Sequence, residues 1–226
     1  MYPNEDYFNN DTKDIKNEVF STSERDKLLP YLWKNSKDPQ CLMFLLMYVT
    51  GMRIGEATTL KHSDIQDNVI TIKRSASGSF RDSSGKIRQT RVKNDGEAKT
   101  KKSLRDITIP EGADAILDMV KALNPDSEFI FTNSNGQVFT RSAMNHKLDR
   151  ICNKLGIEHK STHGFRKTYL SILDDNQVSS ATIIALAGHA DFSITETHYI
   201  KNTHNIIDIR DRLKSVKELD FTAFSG

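Results

Sequence analysis

Apolar positions recur at three- and four-residue intervals along most of the chain and alternate with polar ones in only two short runs. That pattern predicts a mainly helical protein with a small sheet. Ser21-Thr-Ser-Glu24 has capping-box spacing, and Leu28, Leu29, Leu32 and Trp33 follow at helical intervals. Pro30 lies inside that helix and is expected to weaken or kink it. Asp38-Pro39 forms a second N-cap and first-turn pair, leading into a strongly apolar helix through Leu42, Leu45, Leu46 and Val49 that Gly51 stops. A short helix then starts with Met52-Arg53-Ile54-Gly55-Glu56 and runs to Leu60.

Alternation over Val69 to Lys73 predicts a strand, and Ile107 with Ile109, closed by Pro110, predicts its antiparallel return. The Ser/Gly/charged stretch from Ser75 to Ala98 reads as a loop longer than usual, a length associated with function or mobility. Glu111 to Leu123 is an amphipathic helix, Phe129 to Phe131 a short edge strand, and Asn133 to Gly136 a turn. Thr140 caps a helix ending at Leu155-Gly156, and further helices begin near His163 and near Ser179 or Ser180, the latter closing at Gly188-His189. Ser193 to Glu196 repeats the capping spacing ahead of Tyr199, and Asn205 to Leu219 reads as a charged amphipathic helix before a loose tail.

Composition adds little to this and charge distribution more. The 226 residues are 37% hydrophobic, enough for a core, and the net charge of +2 (32 basic against 30 acidic side chains) names no partner by itself. The block from Lys73 to Arg105, however, holds Lys73, Arg74, Arg81, Lys86, Arg88, Arg91, Lys93, Lys99, Lys101, Lys102 and Arg105 against Asp82, Asp95 and Glu97. Such a local basic excess suits a polyanion, and equally suits a solvated loop. Cys41 and Cys152 lack metal or redox spacing and read as buried thiols. The polar, acidic N-terminus is no signal peptide, and the longest apolar run, Cys41 to Val49, is too short to span a bilayer, so a cytoplasmic protein is expected. Residues 1–20 read as a linker or arm of the kind that follows a preceding domain.

Candidate chemistry gathers late in the chain. His163-Gly-Phe-Arg166 puts an imidazole and a guanidinium one helical turn apart, at a helix start whose free N–H groups suit an anion. Phosphate is the anion that a guanidinium fork matches best. His159 and His163 have metal-like spacing, but Lys160-Ser161 and Gly164 interrupt a helix there and no third ligand is at hand, so no metal is expected. Taken singly, every element has a plainer reading: Arg53 with Glu56 as a surface helix pair, His189 as a helix stop, Tyr199 as a core aromatic, the lysines as a solvated edge.

Together, Thr50-Gly-Met-Arg53-Ile-Gly-Glu56, His163-Gly-Phe-Arg166 and Leu186-Ala-Gly-His189 followed by Tyr199 resemble, in order and separation, the boxes of the tyrosine recombinase (phage integrase) family. The stretch Lys99-Thr-Lys-Lys-Ser-Leu-Arg-Asp-Ile-Thr-Ile-Pro110 resembles the family's lysine-bearing hairpin, and the likeness runs from about Ser21 to Ile207. The resemblance implies an α+β, mainly α, fold of the DNA breaking-rejoining type, with a catalytic domain over 21–204 and a C-terminal helix and tail over 205–226 that exchanges between protomers. It implies that Arg53 and Arg166 clamp the scissile phosphate, with His163 as the base-like residue, His189 as a second phosphate contact and Tyr199 as the nucleophile. Lys99, or alternatively Lys101, would be the general acid, and Glu56 would support the site from behind. Lys73, Arg74, Lys101 and Lys102 are DNA-contact candidates. The gap from His189 to Tyr199 is ten residues where nine is common in the family.

On this reading the protein is a site-specific recombinase that integrates and excises a mobile element through a 3′-phosphotyrosyl intermediate, without cofactor. Its partners would be double-stranded DNA, three further protomers in a tetramer on DNA (a monomer when free), and accessory DNA-bending or directionality proteins. No membrane is involved, and the location would be the cytoplasm, on the nucleoid. The rival readings are a relaxing topoisomerase of type IB chemistry and a non-enzymatic DNA-binding protein on the same scaffold.

Overall fold

A computed structural model describes residues 18–76, 80–81, 87–88, 92–93, 105–187, 209–210 and 213–224. Its centre is helix α2 (Pro39–Thr50), capped by Asp38 and stopped by Gly51 in the left-handed conformation (φ 63°). Every residue of α2 from Cys41 to Thr50 is buried, as expected for a helix apolar on all sides. Around it pack α1 (Thr22–Lys34), the short α3 (Ile54–Ala57), α4 (Asp114–Ala122) and α6 (His163–Asp175). Helix α5 (Arg141–Leu155) lies against α1, and α7 (Ser180–Ala187) against α6.

The predicted strand pair exists as β2 (Val69–Ile72) and β7 (Arg105–Thr108), antiparallel, with a short β1 (Ile65–Gln66) on the other side of β2. Ile70, Ile72 and Ile107 turn inward to the core. The stretch expected to be a plain loop carries four two-residue strands: β3 (Ser75–Ala76) pairs with β6 (Val92–Lys93), and β4 (Phe80–Arg81) with β5 (Ile87–Arg88). The two pairs are nested in sequence and keep one register, since Ser75 faces Lys93 and Phe80 faces Arg88.

Helix α1 includes Pro30, with Leu28 and Leu32 on either side both buried. Three other expectations need correction. Helix α3 stops at Ala57 rather than Leu60; the Thr59 hydroxyl bonds the Gly55 carbonyl and closes the turn. Phe129 to Phe131 is not a strand, although Ile130 and Phe131 are buried: Ile130 N–H donates to the Leu60 carbonyl at 3.0 Å, and the neighbouring pairing is an isolated bridge between Thr132 and Val138. The C-terminal segment becomes a 3-10 turn at Lys217–Leu219 instead of remaining α-helical, and its end is not loose. Phe221 is buried, its N–H donates to the Gly112 carbonyl at 2.7 Å, and Phe221 and Phe224 lie 6.0 and 5.4 Å from the Trp33 ring.

Both cysteines are buried thiols, and burial, the largest influence, pushes the Cys41 thiol up to about 11. Among the described residues no helix is long and apolar enough to cross a membrane.

Candidate phosphate-binding cleft

The glycines of the first box serve packing. A Cβ on Gly51 would sit 2.3 Å from Tyr169 Cδ1, and one on Gly55 would sit 2.5 Å from the Ala76 carbonyl oxygen. Gly51 therefore lets α2 end against α6, and Gly55 lets α3 touch β3. Between them Arg53 occupies the N-cap of α3. The Glu56 carboxylate, one turn on, accepts the Arg53 backbone N–H at 2.7 Å and its guanidinium at 3.0 Å. Arg53 keeps 39% of its side chain exposed, whereas that of Glu56 is 4% exposed.

The second box opens α6. Thr162 N–H donates to Asn145 Oδ1 at 3.0 Å, which ties the loop before α6 to α5. No side chain caps the first turn of α6, leaving its N-terminal dipole available to an anion. Arg166 is 1% exposed; its Nη1 donates to the Gly51 carbonyl at 2.8 Å and its Nη2 to the Ala187 carbonyl. Its Nε is buried without a partner among the described residues. Arg53, His163 and Arg166 thus line one cleft of about 240 Å³, together with Arg141 and Asn145 on α5 and Ser161 and Thr162 before α6.

The electrostatics of this cleft favour a bound anion. Burial is the largest influence on Glu56 and would raise its pKa, yet Arg105 and then Arg53 hold the carboxyl below its ordinary value, as an anion. Burial, then the charges of Arg53 and Arg105, push Arg166 down to about 10, which leaves it a cation at neutral pH. Partial desolvation of the His163 ring, then Arg166, Arg53 and Arg141, lower its pKa below the ordinary histidine value. The free cleft therefore pairs guanidinium cations with a neutral imidazole.

Of the DNA-contact candidates, Arg74 forks onto the buried Asp64 carboxylate (Nη2 to Oδ1, 2.8 Å), and Lys73 Nζ stands 3.4 Å from Asp64 Oδ1. Both basic side chains are held at the sheet edge by this carboxylate. Lys99, Lys101, Lys102, His189 and Tyr199 lie outside the described residues. Among the described residues no cluster of His, Cys, Asp or Glu could hold a metal; His159 pairs with Asp149 instead.

Two cleft-associated residues were not picked out from sequence. Arg141, the first residue of α5, lines the cleft. Arg105, the first residue of β7, bonds Glu56 from behind. A helix start near the anion site could have flagged the first. A charge opening an apolar strand, with a buried carboxylate in need of a partner, could have flagged the second.

A mainly helical domain with a small antiparallel sheet at its side is a fold this chain shares with solved recombinases. The Tn1549 transposon integrase, solved in complex with transposon right end DNA, superposes with a TM-score of 0.67 at 15% identity over 96% of this chain and 70% of that one. The XerH site-specific recombinase bound to its difH substrate gives 0.53 at 19% identity, over 77% and 48%. The chain belongs to the phage integrase family, whose model matches residues 18–205. Similar relatives include a XerC-like tyrosine recombinase of Caldanaerobacter subterraneus subsp. tengcongensis, 28% identical over 70% of this chain and 44% of the relative. The integrase of Staphylococcus phage L54a is 27% identical over 70% of this chain and 46% of its own length. The chain therefore spans about half the length of the curated relatives it matches.

Proposed function

We propose that this chain is the catalytic domain of a site-specific DNA recombinase that cleaves and rejoins strands to integrate and excise a mobile element. The observation that carries the reading is the convergence of Arg53, His163 and Arg166 on one cleft within a phage integrase family chain. A phosphodiester repels nucleophiles, and attack adds charge to its non-bridging oxygens. Arg53 and Arg166 supply preorganised donors for that charge, and the N-terminus of α6 reinforces them. His163, neutral in the free cleft, can accept a proton as Tyr199 attacks phosphorus. The bond to the 5′ oxygen breaks, and that oxygen takes a proton from Lys99 or Lys101. His189 is the further phosphate contact.

The 3′-phosphotyrosyl bond keeps the phosphodiester energy, so a 5′-hydroxyl of the partner strand reverses the step without ATP. No metal or cofactor is required by this route. Lys73, Arg74 and Lys102 would meet the DNA backbone. Four protomers on DNA would exchange strands in pairs, the 205–226 segment bridging neighbours and accessory proteins bending the DNA, in the cytoplasm on the nucleoid. Within the single chain the described part of that segment lies on α1, α2 and α4.

The test is covalent capture. The chain is incubated with a pool of nicked duplexes of random sequence, in which cleavage releases a short strand and traps the enzyme. A denaturation-resistant adduct that disappears in Tyr199→Phe is expected; an adduct that persists in this variant removes Tyr199 as nucleophile. Relaxation of supercoiled DNA with no strand exchange between duplexes would instead favour a topoisomerase.

A further inference from the structure

Arg105 has a 6% exposed side chain, and among the described residues its side-chain bonds go to Glu56 and to the end of α7. Its Nη1 and Nη2 meet Glu56 Oε1 and Oε2 at 3.0 and 2.9 Å, a two-bond fork. Its Nε donates to the Leu186 carbonyl at 3.0 Å. Glu56 in turn holds both the backbone and the guanidinium of Arg53. Leu186 adjoins Ala187, whose carbonyl accepts from Arg166. One guanidinium therefore joins the start of β7, the carboxylate that orients the first cleft arginine, and the end of α7.

We infer that Arg105 is a positioning residue for the strand-cleavage reaction. It fixes Glu56, and through it Arg53, against the end of α7, from which the chain continues to His189 and Tyr199. The inference takes its reaction from the recombinase reading, but the linkage itself stands on the bonds. Lysine cannot replace it, because a single Nζ cannot fork on a carboxylate and reach a carbonyl in a third direction. An ion pair that served stability alone could be exchanged for apolar packing at little cost. An ion pair that positions Arg53 could not.

The experiment compares the 226-residue chain with Arg105→Met, Arg105→Lys and Arg105→Met/Glu56→Gln. Two readings are taken: single-turnover adduct formation on the nicked duplex pool over about pH 5.5 to 9, and hydrogen exchange without DNA. In Arg105→Met, adduct formation at neutral pH should fall about 10- to 100-fold, the scale of lost supporting contacts at other sites. Retention of the same DNA on a filter should change less than about threefold, since no backbone contact is removed. The acid limb of the rate profile should move to higher pH, because Glu56 stays buried with one cation fewer, and the double variant should lack that movement. Arg105→Lys should recover only part of the rate.

Exchange should rise together over 53–57 and 183–187 while α5 stays protected. Wild-type rate and pH profile in a folded Arg105→Met would overturn the inference, as would unchanged exchange at either segment. If Arg105→Met does not fold, Arg105→Lys decides by the same criteria on a smaller scale. If the parent chain forms no adduct, the recombinase reading fails, and the paired exchange then decides the linkage by itself.

Discussion

Gly51 and Tyr169 touch so closely that no side chain fits between them: a Cβ on Gly51 would stand 2.3 Å from Tyr169 Cδ1, at a backbone φ of 63°. Gly51→Ala therefore meets both a left-handed conformation and a buried ring. A loss of about 2–4 kcal/mol is expected, combining conformational strain with overpacking. Urea unfolding measures it. Gly51→Ala/Tyr169→Leu should recover the overpacking part but not the strain, so a full recovery would remove the conformational argument.

Arg53 and Arg166 should separate function from stability. Arg53 is partly exposed, and Arg105 keeps its fork on the buried Glu56 carboxylate, so Arg53→Gln is expected to cost less stability in urea than Arg166→Gln. Its adduct rate should nonetheless drop about 10²–10³-fold, the loss typical of one preorganised donor. Arg166→Gln leaves the Gly51 and Ala187 carbonyls without their donor in a buried site, so melting and cleavage should fall together. Equal stability losses in the two variants would contradict this division.

His163 should titrate below the ordinary histidine value of about 6.5. Desolvation is the main cause and the charges of Arg166, Arg53 and Arg141 come next, so Arg141→Gln should raise the midpoint modestly, by NMR of the imidazole carbon protons. The sign for stability follows. The folded state holds His163 neutral more firmly than the unfolded chain does. Its contribution is complete above the unfolded value and is lost as pH falls through it towards the folded one. His163→Gln should flatten that part of the stability profile, and an unchanged profile would count against the assignment.

Trp33, the single tryptophan of the chain, stacks on Phe221 and lies tilted against Phe224, and so reports on the C-terminal segment. Phe221→Ala should cost about 3–5 kcal/mol, as for a buried phenylalanine. Trp33 emission should shift to the red. Loss of stability without a spectral change would mean that the segment remains docked by other contacts, such as the Tyr48 hydroxyl on the Glu218 carbonyl.

The parts of this fold legible in the sequence are those settled by neighbouring residues. Helix α2 begins at Asp38 and ends at Gly51, and α5 begins at Thr140 and ends at Gly156, because cap and stop act within a turn of where they are written. Pro30 does not end α1, whose Leu28 and Leu32 are buried on either side of it. The strands β3 to β6 escaped notice because pairs of residues carry no alternation to detect. At the site, Arg53, Glu56, His163 and Arg166 were legible through motif spacing. Arg105 was counted into a basic stretch, and only tertiary contact reveals that its partner is Glu56 and not a polyanion.

The nested hairpin is lopsided. On the outgoing side two residues, 73 and 74, separate β2 from β3, while on the return side eleven, 94–104, separate β6 from β7. The eleven-residue return holds Lys99, Lys101 and Lys102, and it leads directly into the strand that Arg105 begins. Matched pairs, one residue from each arm between β3 and β6, could consequently be removed with no change in the number of residues between Arg105 and Lys99 or Lys101. Evolution or an engineer could thus vary how far the ribbon reaches while leaving the lysines the same number of residues from their anchor.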